Sequence, residues 1–478
     1  MDYTGLYNNF SAINKQMPRR AKGFGLVTYS IALEAWRRGL ELKFYTGFVR
    51  NQARIYYRLK SEEREHTFRI SFGGNMDKEV RKIVNSKEQA KEYLAKGDVP
   101  VPRGGAVSIE NGYEEVYSII ESTGYPAVVK PINGRLGQGV HTDIKNQKEL
   151  EAALNNLEEL GYKDIMVENF IVGEDTRVYV TKDEVIAAYK REPANVIGDG
   201  KRTIKELIGV KNKIRQTNPH AKKNKLEITG KVKAYLKEKG FSLTSIPAKD
   251  EVVYLTDSTL HIDGCEVVDV TDELTPKIRE IARNAVKAIP GMELSGLDIM
   301  VNKEKDEGYV LELNASPNIA GHLFPMIGEP RDVHKAFIDH FFPETKERDS
   351  GRFQNFVFDF DNINKILKSG VVTEVTVPRL PEGELNAKTF EISGNVSKLV
   401  PLIRRRAVGT KLGGEVVKEE KDLLIIKVAG ASNDIEKFTE YMLSKKNSKI
   451  NVKISDDQNW EGEYQYYFKS LIEFEVTK

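Results

Sequence analysis

Two short stretches decide how this chain reads: 296-GLDIMV-301 and 309-YVLELN-314. Each alternates in character with a period of two, as a strand with two different faces does. The stretch between them, Asn302 to Gly308, is polar, so the pair is expected to fold as a hairpin. With Val301 opposite Tyr309, Asp298 falls opposite Glu312, and Asn314 lies on the same face two residues on. The other face would be continuous core: Leu297, Ile299, Val301, Tyr309, Leu311 and Leu313. Like charges directly opposed on a sheet repel. Two acids and an amide oxygen turned to one point are oxygen donors for a hard cation such as Mg²⁺, with coordination places left for phosphate oxygens. The alternative is a pair of acids on a solvated sheet face, or acids paired with lysines.

Working outward, Lys130 ends a predicted strand and is followed by the glycine-rich turn 133-NGRLGQGV-140. An ammonium and a run of backbone N–H groups suit a polyphosphate, and a plain hairpin turn is the competing reading. No Gly-Lys-Ser/Thr follows, so this is not a Walker A loop. In 167-VENFIVGEDTRVYV-180, Glu168 and Asp175 flank a strand–turn–strand whose backbone edge suits a base and whose acids suit ribose hydroxyls; surface acids on a hairpin would look the same. In 190-KREPANVIGDGKRTIKELI-208, Arg191 sits at a predicted strand end, placed to bind phosphate through two parallel bonds or to lie idle on the surface. The stretch Lys211 to Lys239 carries ten Lys/Arg against two Glu. It reads as a solvated helical face, with a mobile cationic lid as the sharper alternative. It has too few aromatics for a nucleic-acid stacking platform.

The chain has 478 residues, 73 Lys+Arg against 71 Asp+Glu, and a formal charge of +2. That balance gives no global pull toward nucleic acid or an anionic membrane, and neither is expected as a partner. The one cysteine, Cys265, excludes an intrachain disulfide framework and suits a reducing cytoplasm, where the protein is expected. No signal core or membrane-length apolar run is seen. Element patterns divide the chain into an N-terminal α/β unit (1–80), a central mixed unit (81–345) and a third unit (354–478), with ETKERD, 344–349, as linker. In the third unit, strands alternating with two helices suggest a ferredoxin-like sandwich.

In this order, the motifs resemble the ATP-grasp superfamily of carboxylate–amine ligases, most nearly the ATP-grasp domain of cyanophycin synthetases. The resemblance rests on 98-DVPVPRG-104, 126-PAVVKP-131, 133-NGRLGQGV-140, 168-ENFIVGEDTR-177, 191-REPANVIGDG-200, 269-DVTDELTP-276, 296-GLDIMV-301 and 312-ELNASPNIAGHLFP-325. It implies an α/β (α+β) architecture: an N-terminal pre-ATP-grasp unit, an ATP-grasp fold of two α+β subdomains, and a C-terminal domain. It implies that Lys87 and Lys130 contact the nucleotide, that the loop of Gly134, Gly137 and Gly139 closes over the phosphates, and that Glu168 with the backbone of Phe170 and Ile171 holds adenine. Asp175 would take the ribose. Asp298, Glu312 and Asn314 would bind Mg²⁺, with Mn²⁺ as a substitute. Arg177 and Arg191 would be the catalytic cations facing the triphosphate or acyl substrate. His322 falls where the cyanophycin-type enzymes carry a histidine, without an assigned role.

The implied chemistry is ATP-dependent amide formation through an acylphosphate, on an amino acid or peptide, by a chain that class precedent allows to be a homo-oligomer. The alternative is a non-catalytic ATP-binding sensor or scaffold. Two departures stand out. The Mur-ligase-like half of cyanophycin synthetase is not expected here. Its Ser/Thr-Gly-Gly stretch is replaced by 261-HIDGC-265, so a different acceptor pocket is expected. The tail more faintly resembles acylphosphatase, in 394-GNVSKLVPLIRRRA-407, but with Leu402 and Lys418 where that family keeps its catalytic arginine and asparagine. A fold without that activity is expected.

Overall fold

The hairpin is present in the computed structural model, as strands Leu294–Asn302 and Glu307–Asn314. The structure describes residues 17–49, 51–73, 78–110, 112–134, 138–348, 356–381, 385–396, 399–456, 464–465 and 468–469. Gly137 of the glycine-rich loop lies outside the described residues, as does most of the strand expected over 468–476. The chain is a mixed α/β protein with several antiparallel sheets. Of the described residues, 78–336 make one compact unit, and 17–73 with 337–469 make the other.

In the first unit, β1 (Gly104–Ser108), β2 (Ala127–Pro131), β3 (His141–Ile144) and β4 (Asp164–Asn169) form an antiparallel sheet in the order β1-β4-β2-β3. Helices α1 (Lys87–Lys96), α2 (Glu114–Thr123) and α3 (Gln147–Glu159) precede or punctuate it. The Ser86 hydroxyl accepts from the Gln89 N–H and Asn146 accepts from the Glu149 N–H, so α1 and α3 begin where an N-cap satisfies an otherwise orphaned donor. Ile120, Leu150, Leu154 and Leu157 from the helices bury against Val129, Ile165 and Val167 from the sheet.

The second sheet holds β5 (Glu174–Thr181), β6 (Val185–Glu192), β9 (Glu266–Asp269), β10 (Leu294–Asn302) and β11 (Glu307–Asn314), in the order β9-β6-β5-β10-β11. A small lobe between β6 and β9 carries β7 (Asn195–Ile197), α4 (Ile204–Thr217) and β8 (Val252–Tyr254). Helix α5 (Pro276–Lys287) presents Ile278, Ala282 and Ala285 to the core beneath the second sheet. Two expectations need correction. Val301 pairs with Gly308, not Tyr309, and a bulge in which Leu311 is the extra residue restores Asp298 opposite Glu312. The bulge also exchanges the buried side chains: Val310 and Leu313 enter the core, while Tyr309 and Leu311 are only half-buried. A short turn, His261–Asp263, leads into β9.

The second unit wraps helix Phe24–Arg37, buried at nearly every position, with the hairpin Glu41–Val49 and Gln52–Lys60. Strand Glu374–Val377, expected with the third unit, pairs with Glu41–Val49, placing Leu42 opposite Val377. Beyond it, strands Leu385–Gly394, Gly413–Glu420, Leu423–Ala431 and Ile450–Asp456 alternate with helices Leu399–Gly409 and Ser432–Leu443. By chain order these four strands lie side by side as fourth, first, third, second, the ferredoxin-like βαββαβ arrangement. No described helix is long and apolar enough to cross a membrane.

Candidate active site

On the second sheet, the face away from the core carries a single cross-strand row. Asp269 on β9 lies opposite Tyr189 on β6, Tyr189 opposite Arg177 on β5, Arg177 opposite Asp298 on β10, and Asp298 opposite Glu312 on β11. Strand period alone puts these five side chains on one face. Arg177 grips Asp298 with both ends of its fork, Nε to Oδ1 at 2.7 Å and Nη2 to Oδ2 at 3.0 Å. Arg191, from the next position of the same face, reaches Asp175 Oδ1 at 2.6 Å and Asp298 Oδ1 at 3.1 Å. Burial works against all these charges. The acids nevertheless hold both guanidiniums above their ordinary pKa, while burial pushes the Asp175 carboxyl up against the pull of Arg191. The Arg191 Nε–H is buried with no acceptor.

Asn314 lies opposite Gly296, one pair along from the acids. Its amide nitrogen is buried without a partner, and Glu312 is exposed. Gly296 is required here because a Cβ would sit 2.6 Å from the Pro317 side chain. Asp298 is not the free acid of a bare metal cluster: arginines, not lysines, hold it. Among the described residues no three acid, histidine or cysteine side chains gather as a ready cation site, and the trio here is two acids and an amide.

A second cluster sits on the first sheet. Glu168 on β4 is buried and accepts from Lys130 at 2.6 Å and from Lys91 at 2.9 Å. Burial opposes its ionisation, but the two ammonium groups outweigh it and hold the carboxyl below the usual range. The second cation on Glu168 is Lys91, in the middle of α1 and one helical turn from Lys87. The two are four residues apart on one helix face, which is the signal that could have offered Lys91. The Phe170 N–H donates to the Pro126 carbonyl at 2.8 Å, so of the two backbone groups on that residue only its carbonyl is left for a ligand. Gly134 and Gly139 flank the loop, and a Cβ on either would come within 3 Å of a side chain.

Residues 84–215 match the family of RimK-like ATP-grasp domains. The cyanophycin synthetase of Trichormus variabilis is 36% identical over 274 residues, covering 56% of this chain and 30% of that protein. The glutathione biosynthesis bifunctional protein GshAB of Clostridium perfringens is 26% identical over 329 residues, covering 66% of this chain and 41% of that one. A bifunctional glutathione synthetase from Pasteurella multocida aligns in structure with a TM-score of 0.49 and 25% identity, over 63% of this chain and 42% of that one. The matched region thus spans about a third of the cyanophycin synthetases it resembles.

Within the first unit, Tyr189 joins the row although no motif in the sequence singles it out. Its ring lies 4.6 Å from that of His322, and a Cβ on Gly321 would come within 2.7 Å of it. His322 is buried and its Nδ1 has no partner; burial, and then Arg177, push its pKa down to about 3. The basic stretch also reads differently in three dimensions. Lys211 and Arg215 are neither solvated nor part of a lid: both are buried and hold Glu266 Oε1, at 3.2 and 2.8 Å.

Proposed function

We propose that the first unit is an ATP- and Mg²⁺-dependent carboxylate–amine ligase, acting through an acylphosphate on an amino acid or peptide in the cytoplasm. The observation that carries this reading is the row Arg177–Asp298–Glu312, a cation pinned beside opposed acids on a rigid sheet. The match to RimK-like ATP-grasp domains supports it.

Asp298, Glu312 and Asn314 would hold the metal. The fit rests on oxygen donors of the hard type, two carboxylates and an amide oxygen, and on an exposed Glu312. Bound there, Mg²⁺ would neutralise phosphate charge during transfer. Lys130 gives one donor to Glu168 and keeps two for phosphate oxygens, while Lys91, which also reaches the Gly104 carbonyl at 3.4 Å, keeps one. Arg191, through its unused Nε–H, would orient the substrate carboxylate. One carboxylate oxygen then forms a bond to the γ-phosphorus of ATP as the bridging P–O bond breaks and ADP leaves. The amine nitrogen next bonds to the acyl carbon, the carbon–phosphate C–O bond breaks, and inorganic phosphate departs as the amine sheds a proton.

The test is ADP and phosphate release across paired amino acids, dipeptides and polyamines. Substrate-dependent turnover, lost in Asp298→Ala and Glu312→Ala with the fold retained, supports the ligase. Tight ATP binding without any such turnover would leave a binding or scaffold role instead.

A further inference from the structure

The small lobe between β6 and β9 holds a cavity of about 590 Å³, open to solvent on one side. No side chain of the row from Asp269 to Glu312 lines it. Helix α4 makes one wall, with Leu207, Val210, Lys211 and Ile214 at the spacing of a single helix face. Ile204, Leu207 and Ile208 of the same helix bury in the lobe's core, whereas Val210 and Ile214 take no part in that core and stand half-buried at the cavity. Lys211 adds only its aliphatic stem. Its ammonium is spent on the backbone and side-chain oxygens of Asn195, at 2.7 and 2.9 Å, and on Glu266 at 3.2 Å.

The facing wall is the turn after β7. Gly198 donates to the Glu251 carbonyl at 2.8 Å and accepts from the Asp250 N–H at 2.9 Å, and a Cβ on it would collide with the Ala248 carbonyl oxygen. The turn and the loop 247–251 are thus locked together, and the cavity is formed in advance of any ligand. Its rim carries both signs in equal number, Arg202 and Lys249 against Asp199 and Asp250. Asp199 is taken: it accepts from the Lys201 and Arg202 N–H groups at 2.9 and 2.8 Å and pairs with the Arg202 guanidinium at 3.4 Å. Lys249 and Asp250, adjacent and exposed, are the charges outside that pair. A lone anion at the mouth would face Asp250, and a lone cation Lys249. A small zwitterion meets a counter-charge at each end, and an apolar tail on it would cover Val210 and Ile214.

We infer that this cavity is a binding site separate from the candidate active site, and that it takes a free amino acid with a large apolar side chain. Its occupancy requires neither ATP nor turnover. The full chain is titrated calorimetrically with phenylalanine, and with phenylpropionate and phenethylamine, which lack the ammonium and the carboxylate in turn. Phenylalanine is expected to bind roughly tenfold or more tightly than either. Lys249→Gln and Asp250→Asn, on exposed loop positions, should each weaken it by about fivefold or more. Val210→Phe, which fills the cavity, should abolish binding, with thermal melts showing that each variant is folded. No binding of phenylalanine, an analogue that binds as tightly, or binding unchanged in Val210→Phe or Lys249→Gln overturns the inference. ADP release bears on the ligase reading alone, so the site and the ligase can fail separately.

Discussion

Arg177 and Asp298 stand directly opposite one another on neighbouring strands and are joined by two parallel hydrogen bonds, at 2.7 and 3.0 Å. Both side chains are largely buried, so the pair is a fixed element of the face and not a surface ion pair. Replacing Asp298 by Ala leaves two buried guanidiniums short of a counter-ion. A loss of about 3–5 kcal/mol in unfolding free energy is expected, read from urea denaturation. Asp298→Asn keeps the volume and should cost less stability, yet reduce ADP release by roughly a hundredfold or more. Unchanged turnover in Asp298→Asn would remove Asp298 from the chemistry.

Lys91, and not Lys87, is expected to matter to the nucleotide. Lys91→Met removes one of the two charge-assisted bonds to buried Glu168, each worth about 1.5–3 kcal/mol. The KM for ATP should rise roughly tenfold or more, while Lys87→Met should change it by less than about twofold. Equal effects would mean that the helix turns toward the nucleotide differently from the arrangement seen at Glu168.

The opposition of Asp298 and Glu312 was legible in the sequence even though the register was not. Alternation names the faces, but nothing in it marks Leu311 as an extra residue; two compensating differences, a pair shifted at Val301 and a bulge before Glu312, left the acids opposed. The N-caps of α1 and α5, Ser86 and Thr275, accept from residues three further on, so cap and helix lie in one sequence window. The partner of strand Glu374–Val377 was not legible, because hydrophobic pattern says that a strand forms and not which distant strand it joins. The same holds for Tyr189 against His322 and for Lys211 and Arg215 on Glu266. A run of cations looks solvated until a buried acid from elsewhere in the chain is brought to it.

Gly321 has no room for a methyl group. A Cβ there would lie 2.7 Å from the Tyr189 ring, which is packed against His322 and cannot retreat freely. Gly321→Ala should therefore destabilise by about 1–3 kcal/mol, lower the melting temperature and, by displacing Tyr189 toward Arg177, lower turnover. Gly209, exposed within α4 with nothing near its Cβ position, is the contrasting site. There the same substitution should stabilise by about 0.5–1 kcal/mol. A Gly321→Ala protein as stable as the parent would show that Tyr189 is not held where it lies.

Acid should unfold the first unit before its carboxylates are protonated. Burial, with nearby cations, holds His220 and His322 at about 3 and His261 at about 4, well below the ordinary histidine value near 6.5. Above about pH 6.5 these rings are neutral whether the chain is folded or not, and the stability is fully present. As the pH falls below that, the unfolded chain takes up protons that the folded one refuses, so stability declines toward about 4 and 3 by about 1.4 kcal/mol per pH unit for each ring. Glu168, whose folded pKa is depressed, adds a further loss only as the pH drops below the usual carboxylate range. Urea midpoints measured at pH 7.5, 6 and 5 should therefore fall throughout, with His220→Gln flattening the decline by the share of one proton. A midpoint that holds steady from pH 7.5 to 5 would mean that the folded protein binds those protons as readily as the unfolded chain.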